Sequence, residues 1–199
     1  MKRGDDYKME KFDIYVVGVG GQGVLTIGEL ISQAAVACEL PVNVYPTKGM
    51  AQRGGFVKEQ IRLGRENLGP SIPPQGAELV ISMELSESLK ALPFLRKGGE
   101  FVLYGLIWAP TEVMLGKEHY PSRQDVSREI AAAGGRIIYS DPSQLPQGVR
   151  ENIFILGLAA GHTRLQEFIP AQSFRQAIEE RWPAATAANL RAFDIGYNS

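Results

Sequence analysis

This 199-residue chain has almost no thiol or imidazole chemistry, with one cysteine and two histidines. A single cysteine excludes an internal disulfide and any iron–sulfur cluster or zinc site built on several thiolates. His119 and His162 have no Cys or His at ligand spacing, so no metal site is expected. Cys38, late in the Ala-rich stretch ISQAAVACEL, reads as a small buried hydrophobe. Charge of either sign is not in excess: 21 basic against 22 acidic residues leave a net charge of −1. With no basic stripe carrying interleaved aromatics, nucleic acid is not an expected partner. No run approaches 18 uninterrupted apolar residues, and the start MKRGDDYKMEKF lacks the apolar core of a secretory signal. A cytoplasmic protein with no membrane partner is therefore expected. No G-x-S-x-G elbow or other nucleophile signature is present, and no catalytic residue is assigned.

What the chain does have is glycine in two places. Residues 14–24 read IYVVGVGGQGV, an apolar β-branched run that breaks into Gly18, Gly20, Gly21 and Gly23 and restarts at helical spacing. A buried strand turning this tightly into a helix offers bare backbone N–H groups and a positive dipole end, which suit an anion. The same residues satisfy G-x-G-x-x-G, the dinucleotide fingerprint. That fingerprint also wants an acid at the end of the second strand, to hold the ribose. The second strand, PVNVYP at 41–46, runs out instead into Thr47, Lys48 and Gly49, and Glu39 precedes it. An NAD(P)-binding oxidoreductase is thus the alternative reading, beside a non-catalytic assembly module. The adenylating enzymes that share such a turn carry zinc cysteines that this chain lacks.

The second glycine-rich loop, TKGMAQRGG at 47–55, leaves the carboxyl end of the second strand, where open α/β sheets place their sites. Lys48 and Arg53 supply charge, and Gly54 and Gly55 permit close approach of a ligand. Gly20, Gly21, Gln22, Gly23, Lys48, Arg53, Gly54 and Gly55 are the candidate binding residues. Glu84 and Glu87 read as first-turn acids complementing a helix dipole.

Periodicity orders the rest. Strands are expected at 12–18, 42–46, 56–63, 78–83, 100–106 and 136–140, with 56–63 half-solvated near a sheet edge. Helices are expected to Cys38 from the glycine turn, at 84–96, at 121–133 and at 149–160, followed by an amphipathic end, SFRQAIEERW then AATAANLRAFDIGY, with a helix at 184–196. Residues 107–120 show no period. The alternation predicts a three-layer α/β/α domain with a mostly parallel, Rossmann-like sheet and C-terminal helices, spanning 12–199 behind a flexible leader, 1–11. The stretch NIFILGLAAG is apolar on all sides, which predicts an uncovered patch and self-association of the isolated chain through this helix or through 184–196.

The paired motifs GVGGQGV and KGMAQRGG, the strand ending IRLG, the segment SIPPQGAELVISMELSESL, and the C-terminal NIFILGLAAG and NLRAFDIG carry a resemblance over residues 12–196. Together they resemble the γ-type domain of the 2-oxoacid:ferredoxin oxidoreductases, nearest to the β subunits of the indolepyruvate enzymes. The resemblance implies a small subunit whose larger partner carries thiamine diphosphate, magnesium and iron–sulfur clusters. The assembled enzyme would oxidatively decarboxylate a 2-oxoacid such as indolepyruvate or pyruvate, transfer the acyl group to coenzyme A and reduce ferredoxin. It implies coenzyme A and partner contacts for this chain, and an inactive isolated subunit. The chain departs from the family pattern in residues 107–125.

Overall fold

A computed structural model describes residues 10–47, 55–64, 69, 71–109, 111–117 and 119–199. Residues 1–9 of the expected leader, and the candidates Lys48, Arg53 and Gly54, lie outside the described residues.

The segment 12–19, apolar except for Asp13, forms β1 (Phe12–Val19), buried along its whole length because both faces are covered. Phe12, Ile14 and Val16 enter one core, while Tyr15 and Val17 enter a second on the opposite face. The strands β2 (Val42–Thr47), β3 (Phe56–Leu63), β4 (Ala77–Ser82), β5 (Leu95–Tyr104) and β6 (Arg136–Ser140) complete a sheet of order β2-β3-β1-β4-β5-β6. From β1 to β6 neighbouring strands are parallel, but β3 runs antiparallel to both β1 and β2. One face carries α1 (Val24–Ala37), α5 (Glu151–His162), α6 (Ala171–Arg181) and α7 (Thr186–Tyr197). The other carries the single-turn α2 (Ser88–Ala91) and α4 (Arg123–Ala132). The expected three-layer α/β/α arrangement is what forms.

Three expectations need correction. The strand at 56–63 is not at an edge: it sits between β1 and β2, and Glu59 to Leu63 are buried. Its alternating polar residues face protein rather than water. Arg62 clasps Asp13 of β1 with Nε–Oδ1 3.0 Å and Nη2–Oδ2 2.9 Å, and donates to the carbonyls of Gly69 and Ser71. Gln60 accepts from the Ile72 N–H.

The helix expected over 84–96 shrinks to α2 plus a 3-10 turn, Leu92–Phe94, because Pro93 lacks the N–H needed to continue an α-helix. Residues 107–120, without a period in the sequence, hold one short helix, α3 (Thr111–Met114). The next helix starts where Ser122 and Asp125 form a reciprocal capping box.

The third correction concerns α5. Ile153, Leu156 and Ala159 are fully buried, and Phe154 and Leu158 nearly so, all within their own chain. α7 lies against α5 so closely that glycine is required on both helices. A Cβ on Gly157 would collide with the Phe193 carbonyl, one on Gly161 with the Tyr197 carbonyl, and one on Gly196 with the Phe154 carbonyl. This backbone-to-backbone packing covers the side that was expected to need a partner.

Candidate functional site

The parallel strands and β2 all point their carboxyl ends at one edge of the sheet, and β3 departs from that edge. Two glycine-rich segments therefore meet there, joined by a hydrogen bond from the Gly20 N–H to the Gly55 carbonyl (2.8 Å). Of the sequence candidates, Gly20, Gly21, Gln22, Gly23 and Gly55 are thus brought together.

Their roles within the turn differ. Gly21 and Gly23 adopt φ of +102° and +80°, conformations that cost other residues strain. Among the described residues a Cβ on Gly21 would meet nothing within 4 Å. Among the described residues the N–H groups of Gly21 and Gly23 have no hydrogen-bond partner. The Gln22 N–H is closed onto the Val19 carbonyl (3.1 Å). Its side chain clips two strands together: Oε1 accepts from the Val19 N–H (2.6 Å), and Nε2 donates to the Met83 carbonyl (2.9 Å). Gln22 thus holds the shape of the turn, and Gly21, Gly23 and the first turn of α1 keep N–H donors with no partner among the described residues. α1 begins at Gly23 with no side-chain cap. The first turn of α5, also without a side-chain cap, abuts it through Asn152, whose side chain fills the space where a Gly23 Cβ would stand. Two helix starts therefore converge beside the turn, a setting that attracts negative charge.

The alternative of a dinucleotide site fails on topology. In a mononucleotide-binding unit the second strand lies next to the first, and its terminal acid reaches the ribose. Here β3 is inserted between them, which moves the end of β2 to two strand spacings from β1, roughly 10 Å.

Sequence reasoning missed the group that organises the other half of this edge. Glu84, which follows β4, is fully buried and precedes the first turn of α2, whose N-cap is Glu87. Its Oε2 accepts from Ser86 Oγ and the Glu87 N–H, both 2.8 Å. Its Oε1 accepts from the Trp108 N–H (3.0 Å) and from the Tyr120 hydroxyl. Burial, and then this carboxylate, drive the Tyr120 phenol far above its ordinary pKa. Nothing local in the sequence marks these partners, 24 and 36 residues away. One strand over, the Tyr104 hydroxyl at the end of β5 donates to Glu151 at the start of α5 (2.9 Å), tying sheet to helix. Glu87 pairs with Lys90 on the first turn after β4.

His119 is exposed in the segment after β5, and His162 closes α5 with its carbonyl accepting from Arg136. Among the described residues no cluster of His, Cys, Asp and Glu could hold a metal ion.

Comparison with known proteins gives this edge a context. The profile of the family described as Pyruvate ferredoxin/flavodoxin oxidoreductase matches residues 13–199. An indolepyruvate oxidoreductase subunit IorB of Archaeoglobus fulgidus is 32% identical over 193 residues, covering 94% of both chains. Its counterpart in Methanothermobacter thermautotrophicus is 30% identical, covering 94% of this chain and 97% of the other. Two solved structures share the fold. Pyruvate oxidoreductase subunit PORC of Thermotoga maritima has a TM-score of 0.67 at 20% identity, covering 96% of this chain and 97% of its own. The 2-oxoglutarate:ferredoxin oxidoreductase of Magnetococcus marinus, solved with 2-oxoglutarate, coenzyme A and succinyl-CoA, has a TM-score of 0.65 at 18% identity. It covers 95% of this chain, which matches 31% of that longer one.

Proposed function

This chain belongs to the pyruvate ferredoxin/flavodoxin oxidoreductase family, and from that premise we propose that it is the small subunit of an indolepyruvate-type 2-oxoacid:ferredoxin oxidoreductase. The carrying observation is end-to-end similarity to IorB subunits, with 94% of both chains aligned. A larger subunit then supplies thiamine diphosphate, magnesium and the iron–sulfur clusters. One cysteine cannot ligate a cluster, so the donor set of this chain does not fit that group. The chain's own part is to bind and position. Gly21, with no described residue where a side chain would stand, and the N–H groups of Gly21, Gly23 and early α1, unpartnered among the described residues, suit a phosphate-bearing portion of coenzyme A. Lys48, Arg53, Gly54 and Gly55 complete that contact or the contact with the partner. Electrons leave to ferredoxin through the assembled enzyme, and the isolated chain is inactive.

The test is reconstitution. The chain and the larger subunit of the same source are purified apart and together, then supplied with indolepyruvate, thiamine diphosphate, magnesium, coenzyme A and a viologen acceptor. Viologen reduction is expected only with both subunits and only with coenzyme A. Turnover by this chain alone, or a holoenzyme indifferent to its omission, overturns the proposal. Replacing Gly21 with Val in the holoenzyme should raise the KM for coenzyme A, because the new side chain fills the open face of the turn and strains its positive φ.

A further inference from the structure

Exposed apolar surface is concentrated on one short segment. Among the described residues five large hydrophobic side chains are exposed, and four of them, Ile107 (61%), Trp108 (51%), Met114 (70%) and Leu115 (63%), lie within nine consecutive positions after β5. Single exposed hydrophobics are ordinary, but a contiguous group of this kind marks a surface that another molecule covers.

The segment is also held near its two ends. The Leu106 carbonyl accepts from the Leu85 N–H (2.9 Å), and Glu84 grips the Trp108 N–H near one end and the Tyr120 hydroxyl at the other. The Ser82 hydroxyl donates to the Glu84 carbonyl (2.8 Å), fixing the backbone that carries this carboxylate. A fully buried carboxylate with four donors is a costly way to anchor a loop that adds so little to the core, unless its position matters.

The same strand end anchors the glycine turn. Gln22 donates to the Met83 carbonyl, and Glu84 is the next residue. The turn, after β1, and the apolar segment, after β5, thus flank the loop that follows β4, the strand between those two.

Resting on the function proposed above, we propose that Ile107, Trp108, Met114 and Leu115 form the apolar centre of the contact with the larger, thiamine-bearing subunit, with Glu84 as the residue that positions them. A standard interface covers roughly 800 Å² on each partner, and an exposed Trp with aliphatic neighbours is the type of anchor found at its centre. Among the described residues nothing covers these four side chains. A second copy fits less well. A two-fold self-contact would pair the same nine residues with themselves and bring two site edges face to face. The fold also occurs in the structural relative as one part of a much longer chain, so it tolerates being packed against extra polypeptide.

The experiment compares binding of the larger subunit by the wild-type chain, by Trp108→Ala, and by the triple variant Trp108→Ala/Met114→Ser/Leu115→Ser. Val36→Ser, at the fifth exposed hydrophobic on α1, is the control. Affinity is read by surface plasmon resonance, and the state of each free chain by light scattering and melting temperature. Expected is at least a tenfold loss of affinity in the triple variant and a smaller one in Trp108→Ala. The control should bind normally, and all chains should melt as the wild type does. Unchanged affinity in folded variants overturns the inference and leaves the functional reading intact. A wild-type dimer that the triple variant dissociates, with binding of the larger subunit unaffected, assigns the surface to a second copy and also overturns it. A wild-type chain that binds no larger subunit removes the functional reading itself.

Discussion

Gly157→Ala should destabilise this protein, although alanine is the better helix former. Two effects oppose each other. In a helix interior Gly→Ala is worth about 1 kcal/mol through reduced backbone freedom. At Gly157, however, the added methyl would sit far inside 3.0 Å of the Phe193 carbonyl oxygen, 2.9 Å from its carbon and 3.0 Å from the Tyr197 nitrogen. These are backbone atoms of α7, which cannot rotate aside as a side chain would. Relief requires α7 to retreat, loosening the buried Ala192 and Phe193. Overpacking of this kind costs about 1–3 kcal/mol, and a rigid neighbour puts it at the upper end. The net loss is then about 1–2 kcal/mol, which for a chain of this size lowers the melting temperature by about 2–8 °C. Gly196→Ala, whose methyl would strike the Phe154 carbonyl, should behave alike. The double variant should lose less than the two single losses added, because one retreat relieves both clashes. Thermal unfolding followed by circular dichroism measures all three. A Gly157→Ala chain that melts at or above the wild type would refute the reasoning, since helix propensity would then outweigh the clash.

Two further outcomes follow from buried charge. Glu59 on β3 lies under Gly28 of α1, where a Cβ would collide with its carboxylate, and its Oε2 has no hydrogen-bond partner. Burial, reinforced by the charge of Glu29 and partly offset by the Gly28 N–H, raises its pKa from 4.5 to about 8. The folded state therefore holds this proton more tightly than the unfolded one, and stability falls as pH rises from about 5 to 8. Glu59→Gln should flatten that part of the denaturation midpoint profile and be the more stable protein at pH 9; an unchanged profile would show that Glu59 titrates normally. Asp13→Ala leaves the Arg62 guanidinium buried without its carboxylate, so urea denaturation should show a loss of about 3–5 kcal/mol. A loss under 1 kcal/mol would mean that the carbonyls of Gly69 and Ser71 suffice for Arg62.

Local chemistry alone specified much of this protein. The apolar run that opens at Ile14 had to be a strand covered on both faces, and the glycines after it had to turn into a helix. β6 falls where the sequence placed it, because RIIYS follows a helix closed by Gly134 and Gly135. The paired glycine motifs, too widely separated to share one element, carried the family. What only the tertiary structure decided are the pairings between residues distant in sequence. Whether 56–63 lies at an edge or between two strands depends on Arg62 finding Asp13, 49 residues earlier, and alternating polarity reads the same in either case. An all-apolar helix announces that it is buried but not by what; the Gly157, Gly161 and Gly196 contacts let α7 approach closely enough to cover α5. Glu84 looks in sequence like any acid after a strand. Only the folded chain brings the Trp108 N–H and the Tyr120 hydroxyl to its carboxylate, because hydrogen-bond partners reach such a group through space and leave no periodic trace along the chain.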